Sequence, residues 1–333
     1  MTSMKEVARK ADVSVATVSA VINNNKFVSE ELRERIEAAI KELNYRPNRF
    51  AQGLKGKKTK LIGVFVTELT NPFYPNMLKQ LEEMAFAEGY NLIMSTTGDD
   101  EKKELKLFES LMDLKVDGLV LATVDNRESK LLYQVEQENI PYVLINRAPS
   151  NFEMNKVCVD SFKVGQLATS HLLSLNHQRI AFIGGNRQNS VEREAGYRNT
   201  LENNGIEVNE ELIFNAEYNV DQAYAVAKKL MRLKDRPSAI FAASDTMAYG
   251  VIKACLDEGL KVPEDLSVMG SDNIPHSEDF RVPLSTVDVH GSDIGAKGFE
   301  LLHSNLESKE TFEPQQVIIE PSLIIRESTA EKK

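Results

Sequence analysis

The stretch SVATVSAVINN, residues Ser14 to Asn24, carries the first residue types and spacing that suggest chemistry. On a 3.6-residue period Val18, Val21 and Ile22 face inward, while Val15, Ala16, Ser19, Ala20 and Asn23 face outward. Methyl and isopropyl groups beside a hydroxyl and an amide suit a groove of thymine methyls and base edges, yet Val15, Ala16 and Ala20 offer no donor to a base. Catalytic chemistry has no comparable foothold. The glycines of FIGGNRQN do not make GxGxxG, and neither GxxxxGK[ST] nor GxSxG occurs. The five histidines lack metal-ligand spacing, and His276, His290 and His303 read as surface or helix-end residues. Cys158 and Cys255 lie in apolar settings without CxxC spacing and read as reduced core thiols. These observations argue against an enzyme and imply no metal or cofactor.

A helix that enters a groove needs a small scaffold. The run S-M-K-E, Ser3 to Glu6, fits a capping box opening a helix that ends near Ala11. Asp12-Val13-Ser14 makes a tight turn, and Ser14 can cap the second helix. A third helix starts at Ser29, with Glu30 and Glu31 in the first turn where the helix dipole favours carboxylates. Leu32, Ile36, Ala39, Ile40 and Leu43 recur at helical spacing and join Val7, Ala8, Ala11, Val18, Val21 and Ile22 in a small core. Two helices joined by a tight turn describe a helix-turn-helix. A net charge of −10 argues against nucleic acid only until its distribution is seen. Residues 1–60 carry 13 basic against 7 acidic side chains, whereas the remainder carries 27 against 43. A basic head on an acidic body suggests that the head alone approaches phosphates.

Residues 45–60, YRPNRFAQGLKGKKTK, are basic, contain Gly53 and Gly56, and join head to body. Thereafter strand and helix signals alternate: LIGVFVT, an amphipathic run from Phe73 to Glu88, YNLIMSTT, DGLVLAT and YVLIN. A second series begins at VCVD and continues through IAFIGG, AIFAAS and LSVMGSD. Short apolar strands separated by helices imply parallel sheets with right-handed crossovers, and two series imply two doubly wound lobes around a cleft. The N-terminus MTSMKEVARK lacks a signal-peptide core, and no apolar run approaches the ~20 residues that span a bilayer. A cytoplasmic location without membrane association is expected. The tail ESTAEKK shows no heptad for a coiled-coil tetramerisation helix.

The ordered set KEVARKADVSVATVSAVIN, VSEELRERIEAAIKELNYRPN, RFAQGLKG, TNPFY, VDGLVL, GYRNTLENNG, SDTMAYG and VPEDLSVMGSDN resembles the lactose-repressor (LacI/GalR) family over essentially the whole chain. The resemblance implies an all-α helix-turn-helix head at 1–46 and a hinge at 47–59. The α/β body would hold two doubly wound parallel-sheet lobes of the periplasmic-binding-protein type, at 60–161 with 290–320 and at 162–289 with 321–333. It implies a homodimeric transcription regulator that binds a double-stranded DNA operator under control of a small-molecule effector. Base-reading positions would fall on Val15, Ala16 and Ala20, with polar contacts from Thr17, Ser19 and Asn23. Many members carry arginine where this chain has Ala20, so the fork onto guanine is lost. Lys26 stands where a purine-responsive member has a base-contacting arginine, and a point charge reads more loosely than a fork. Leu54, with Lys55 beside it, matches a leucine that wedges between base pairs from the minor groove and kinks the duplex. A hinge helix this short is marginal alone, below the ~12–15 residues that isolated helices need.

Effector positions in the family map onto Phe73, Tyr74, Asn146, Arg147, Asp160, Arg187, Asn189, Arg193, Tyr218, Ser244 and Asp272. Aromatic faces can stack on a ring while Arg and Asp fork onto hydroxyls. Asn146 replaces the usual aspartate, Ser244 an asparagine, and Val289 a frequent glutamine, which argues against an aldopentose. Arg147 fills a tryptophan position of the purine-responsive member, which argues against a free purine. Three arginines with one acid lost tilt the expected effector from a neutral sugar toward a sugar acid or sugar phosphate. Competing readings are a purine-responsive repressor, a global regulator controlled by a phosphocarrier protein, and a solute-binding protein without gene control.

Overall fold

A computed structural model describes residues 2–23, 26–45, 58–150, 152–308 and 313–332. The chain divides into two compact units, Met1–Thr59 and Lys60–Lys333. In the first unit, helices α1 (Met4–Lys10), α2 (Val15–Asn23) and α3 (Glu30–Glu42) enclose fully buried Val7, Val18 and Ile36. Helices α1 and α2 begin where the sequence supplies a side-chain partner for orphan amides. Ser3 Oγ accepts from Glu6 N at 3.3 Å, and the Glu6 carboxylate accepts from Ser3 N at 2.6 Å. Bonds donated by Ser3 N and Ser3 Oγ hold the Glu6 carboxyl below its usual range. Ser14 Oγ accepts from Thr17 N at 3.1 Å and so opens α2. Ser29 makes no side-chain cap bond, leaving Glu30 and Glu31 to complement the start of α3.

The second unit holds two six-stranded sheets. The first takes β1 (Leu61–Val66), β2 (Asn91–Thr96), β3 (Gly118–Leu121), β4 (Tyr142–Ile145), β5 (Lys156–Val159) and β11 (Gln316–Ile319), ordered β11-β5-β4-β3-β1-β2 and parallel throughout. The second takes β6 (Ile180–Gly184), β7 (Ile213–Asn215), β8 (Ala239–Ala242), β9 (Ser267–Asp272), β10 (Ser285–Asp288) and β12 (Ser322–Ile324), ordered β12-β10-β9-β8-β6-β7. Only β12 runs antiparallel to its neighbour, β10. Helices α4 (Phe73–Ala87), α5 (Glu101–Asp113), α6 (Lys130–Gln137) and α11 (Gly291–Glu307) belong to the first lobe. The second lobe carries α7 (Ser161–Ser174), α8 (Gln188–Asn203), α9 (Val220–Met231) and α10 (Asp245–Asp257). The chain crosses between lobes after β5, before α11 and after β11.

One expectation is corrected here. VCVD does not open the second series. Its residues 156–159 pair with β4 on one side and β11 on the other, inside the first sheet. A four-residue apolar strand reads alike in either sheet, and its pairing with β4 and β11 decides which one it joins. Strands β7, β10, β11 and β12 (IFN, STVD, QVII and SLI) are additions to the strands expected from the sequence.

Glycine sets the closest contact in the second lobe. Helices α7 and α8 pack so tightly that a Cβ at Gly165 would stand 2.0 Å from Arg193 O, and one at Gly196 would stand 2.0 Å from Phe162 O. Both obstacles are backbone atoms, so no rotamer change relieves them. Gly196→Ala should therefore destabilise the body by about 1–3 kcal/mol, as overpacking does. Urea unfolding is the check, and an unchanged midpoint would contradict the contact.

Candidate functional site

On α2, Val15 and Ala16 are exposed, as expected for a face that meets a partner. Thr17 is half-buried, and its hydroxyl lies 2.8 Å from Ser14 Oγ. Ser19 is half-buried as well. Ala20 departs from expectation, being only 6% exposed. Helical spacing gives the direction of a Cα–Cβ bond, whereas a single methyl stands so close to the backbone that taller neighbours can cover it. Asn23 closes α2, and Lys26 follows it with an exposed side chain. Phe27, which sequence reasoning passed over, is the most exposed large apolar residue among the described residues of the unit. Leu54 and Lys55 lie outside the described residues.

The body site is built at the carboxyl ends of the strands, where parallel sheets leave a crevice. Phe73 and Tyr74 open α4, with the Phe73 amide donating to Asn71 Oδ1 at 3.0 Å and the two rings meeting edge to face at 5.5 Å. Asn146 follows β4 in the left-handed region, φ 63°, and turns the chain so that Arg147 points inward. Arg147 is 3% exposed and fully engaged. Its Nη1 donates to Thr67 Oγ1 at 2.8 Å and Asp99 Oδ1 at 2.9 Å, while its Nε donates to Asp125 Oδ1 at 2.9 Å and its Nη2 to Asp125 Oδ2.

The second lobe answers across the gap. Arg187 Nε donates to Asp99 Oδ2 at 3.1 Å, its Nη2 lies 3.8 Å from Glu68, and its guanidinium stands 4.5 Å over the Tyr218 ring. The Gln188 amide, first in α8, donates to Asp125 Oδ1 at 3.0 Å. Gln188 Nε2 donates to Ser150 Oγ at 2.7 Å, and Ser150 Oγ donates to Glu192 at 2.7 Å. Deeper in, Arg193 donates to Ala243 O and to Asp272 Oδ1 at 3.1 Å, and its Nε has no partner among the described residues. Tyr218 OH donates to Asn189 Oδ1 at 2.9 Å. Asp160 and Ser244 act as helix caps, accepting from Lys163 N at 2.9 Å and Met247 N at 3.2 Å.

The eleven expected residues therefore do not form one wall. Arg147 and Arg187 line a cavity of about 490 Å³, and Arg187 with Tyr218 lines another of about 440 Å³. Asn146, Arg147, Asp160 and Asn189 line a third of about 300 Å³. Phe73, Tyr74, Arg193, Ser244 and Asp272 are buried. Bonds through Asp99, Asp125 and Ser150 run from one lobe to the other beside them.

The charge expectation is corrected too. The three arginines do not leave surplus positive charge, because Glu68, Asp99, Asp125 and Asp272 already answer them. Burial alone would raise the Asp99 carboxyl, but Arg147 and Arg187 hold it below the usual range. Burial pushes Asp272 up to about 6, against the pull of Arg193. Sequence reasoning missed Asp99 and Asp125, although each follows a strand end, after β2 and β3, where crevice residues belong. Among the described residues no group of His, Cys, Asp or Glu could hold a metal ion.

Behind Asp272 sits Asp245, wholly buried, accepting from Ile274 N at 2.9 Å, Ser277 Oγ at 2.8 Å and Thr286 Oγ1 at 2.6 Å. Burial, helped by the Asp272 charge, pushes its carboxyl from 3.8 up to about 7. A carboxyl raised on folding adds stability that is whole below its unfolded pKa and is lost as pH rises through its folded one. Asp245→Asn should accordingly flatten the fall in Tm between about pH 4 and about pH 7. Parallel Tm curves for the two proteins would contradict this.

Residues 3–48 match the model described as bacterial regulatory proteins, lacI family, and residues 169–329 match a periplasmic binding protein-like domain. The chain is 34% identical over 330 residues to an HTH-type transcriptional repressor, PurR, from Vibrio atlanticus (strain LGP32), covering 97% of this chain and 99% of that one. Among solved structures, the lac repressor dimer bound to operator and the anti-inducer ONPF superposes with a TM-score of 0.87 at 26% identity, covering 99% of each chain. A transcriptional regulator CelR–cellobiose complex superposes at 0.74 with 29% identity, covering 98% of this chain and 100% of that one.

Proposed function

Because the chain belongs to the lacI family of bacterial regulatory proteins, we propose that it represses transcription as a homodimer on a pseudo-palindromic operator, controlled by a neutral carbohydrate-like effector between the body lobes. DNA binding and transcription regulation come with the family. The operator symmetry, the dimer and the effector are our reading. The lac repressor dimer on its operator supports the first two, and the cellobiose in the CelR complex supports the third.

The observation that carries the effector class is the internal pairing of all three cleft arginines. An anionic ligand would have to break these pairs, whereas a hydroxyl both donates to a carboxylate and accepts from a guanidinium. The unpartnered Arg193 Nε is one such donor. Phe73 and Tyr218 offer apolar ring faces to the C–H side of a sugar. The similarity to PurR makes a purine base the second ligand to test.

Calorimetry with the full-length protein should show neutral sugars binding at least about tenfold more tightly than their sugar acids, a gap of about 1.4 kcal/mol. Purine binding without sugar binding would replace this reading by the purine-responsive one. On the DNA side, Leu54→Ala should weaken operator binding strongly in a gel-shift titration while ligand binding stays intact, because the wedge of the hinge is lost. Ala20→Arg should shift the half-site chosen in a binding-site selection toward guanine at one position, since it restores the fork. An unshifted selection would refute the reading role of that position.

A further inference from the structure

The turn between α1 and α2 sets the angle at which α2 stands. Its first half closes α1: Asp12 N donates to Arg9 O at 3.3 Å and Val13 N donates to Ala8 O at 3.0 Å. This way of ending a helix requires a left-handed residue, and Asp12 supplies it with φ 52°. Glycine enters that region without steric cost, whereas an aspartate needs support from its surroundings. On the far side of the turn, Ser14 Oγ accepts from Thr17 N, and Ser14 O accepts from Thr17 N at 3.0 Å and Val18 N at 3.2 Å. The carbonyls of Ala11 and Asp12, between these two sets of bonds, are met by α3.

Arg35 of α3 makes both contacts from one nitrogen. Its Nη2 donates to Ala11 O and, at 3.3 Å, to Asp12 O. Charge-assisted bonds of this kind are about twice as strong as neutral ones, and a cation beside the last carbonyls of α1 also answers the negative end of that helix. Ala11 is only 4% exposed, so the bond to its carbonyl is shielded from water on one side, although Arg35 as a whole is exposed. Two other ties join this region to the end of α3, Lys10 to Glu42 at 2.6 Å and Thr2 Oγ1 to Leu43 O at 3.1 Å. Those hold α1 and the segment before it. Arg35 holds the turn.

We propose that Arg35 is a positioning residue for operator reading, a clamp that fixes the angle of α2 by holding the carbonyls of the turn. The proposal rests on α2 being the element that meets the operator. Leverage makes the angle matter. A nine-residue helix is about 13 Å long, so a tilt of about 10° at the turn displaces its far end by about 2 Å. Val15 and Ala16 read by methyl contact, and dispersion is largely lost across a gap of about 1 Å. With alanine at position 20 there is no forked side chain to reach across such a gap.

The test begins with binding-site selection on the full-length wild-type protein, which recovers a discrete site if α2 reads the operator and so examines that premise by itself. Gel-shift titrations of the variants then use the selected duplex and a scrambled one, each at several salt concentrations. Arg35→Met should weaken binding to the selected duplex at least about tenfold while changing binding to the scrambled duplex less than about twofold. The slope of affinity against salt should stay that of wild type, because no phosphate contact is removed. Arg35→Lys should lose less than Arg35→Met, since a single nitrogen makes both bonds and an ammonium can take its place. A slope lowered by about 1 would assign Arg35 to a phosphate instead. Equal losses on the two duplexes would assign it to folding of the head. Either result, an unchanged affinity for the selected duplex, or a loss as large in Arg35→Lys as in Arg35→Met would overturn the proposal.

Discussion

Asp99 receives a guanidinium from each lobe, Arg147 at 2.9 Å and Arg187 at 3.1 Å. Together with Asp125 it solves two physical problems at once. Arg147 is buried and needs compensating charge, which the two carboxylates supply. The same carboxylates also tie the lobes together, by accepting from Arg187 and the Gln188 amide. The Asp99 side chain is 39% exposed, so water and salt weaken its bonds to a level that ligand contacts can replace. Everything deeper depends on this tie. While it holds, Phe73, Arg193 and Asp272 stay covered.

The deeper layer is fixed by backbone rather than by charge. The close packing of α7 on α8 through Gly165 and Gly196 sets where α8 lies, and α8 carries Asn189 and Arg193. Arg193 is thereby held against Asp272 at the end of β9, and breaking such a buried pair costs about 3–5 kcal/mol. Asp245 beneath anchors the segment after β9 by accepting from Ile274 N and Ser277 Oγ. The layers thus differ in stiffness. A close-packed floor carries the aromatic and guanidinium groups, and an ionic lid lies over it.

The cleft arginines are answered by acids, whereas Lys156, a buried cation in the wall that Arg147 also reaches, donates to two backbone carbonyls. Counting arginines in a sequence cannot make that distinction. The same holds for the head, where net basicity locates the phosphate-facing unit but does not tell which methyl on α2 stays open.

The local features were determined by sequence alone. The capping box at Ser3 and Glu6, the Ser14 cap, the helical spacing of Val18 and Ile36, and the alternation of strand and helix depend on residues a few positions apart, where spacing dictates geometry. The family motifs added the identity of the two units and the neighbourhood of Arg147, Arg193 and Asp272. Tertiary structure decided whatever depends on residues far apart in the chain. It placed β5 in the first sheet, between β4 and β11, and covered the Ala20 methyl. It brought Asp99 and Asp125 onto Arg147 and Arg187, and set the Lys156 ammonium on two backbone carbonyls. The sign and strength of a buried charge are properties of its neighbours, and only the folded chain chooses them.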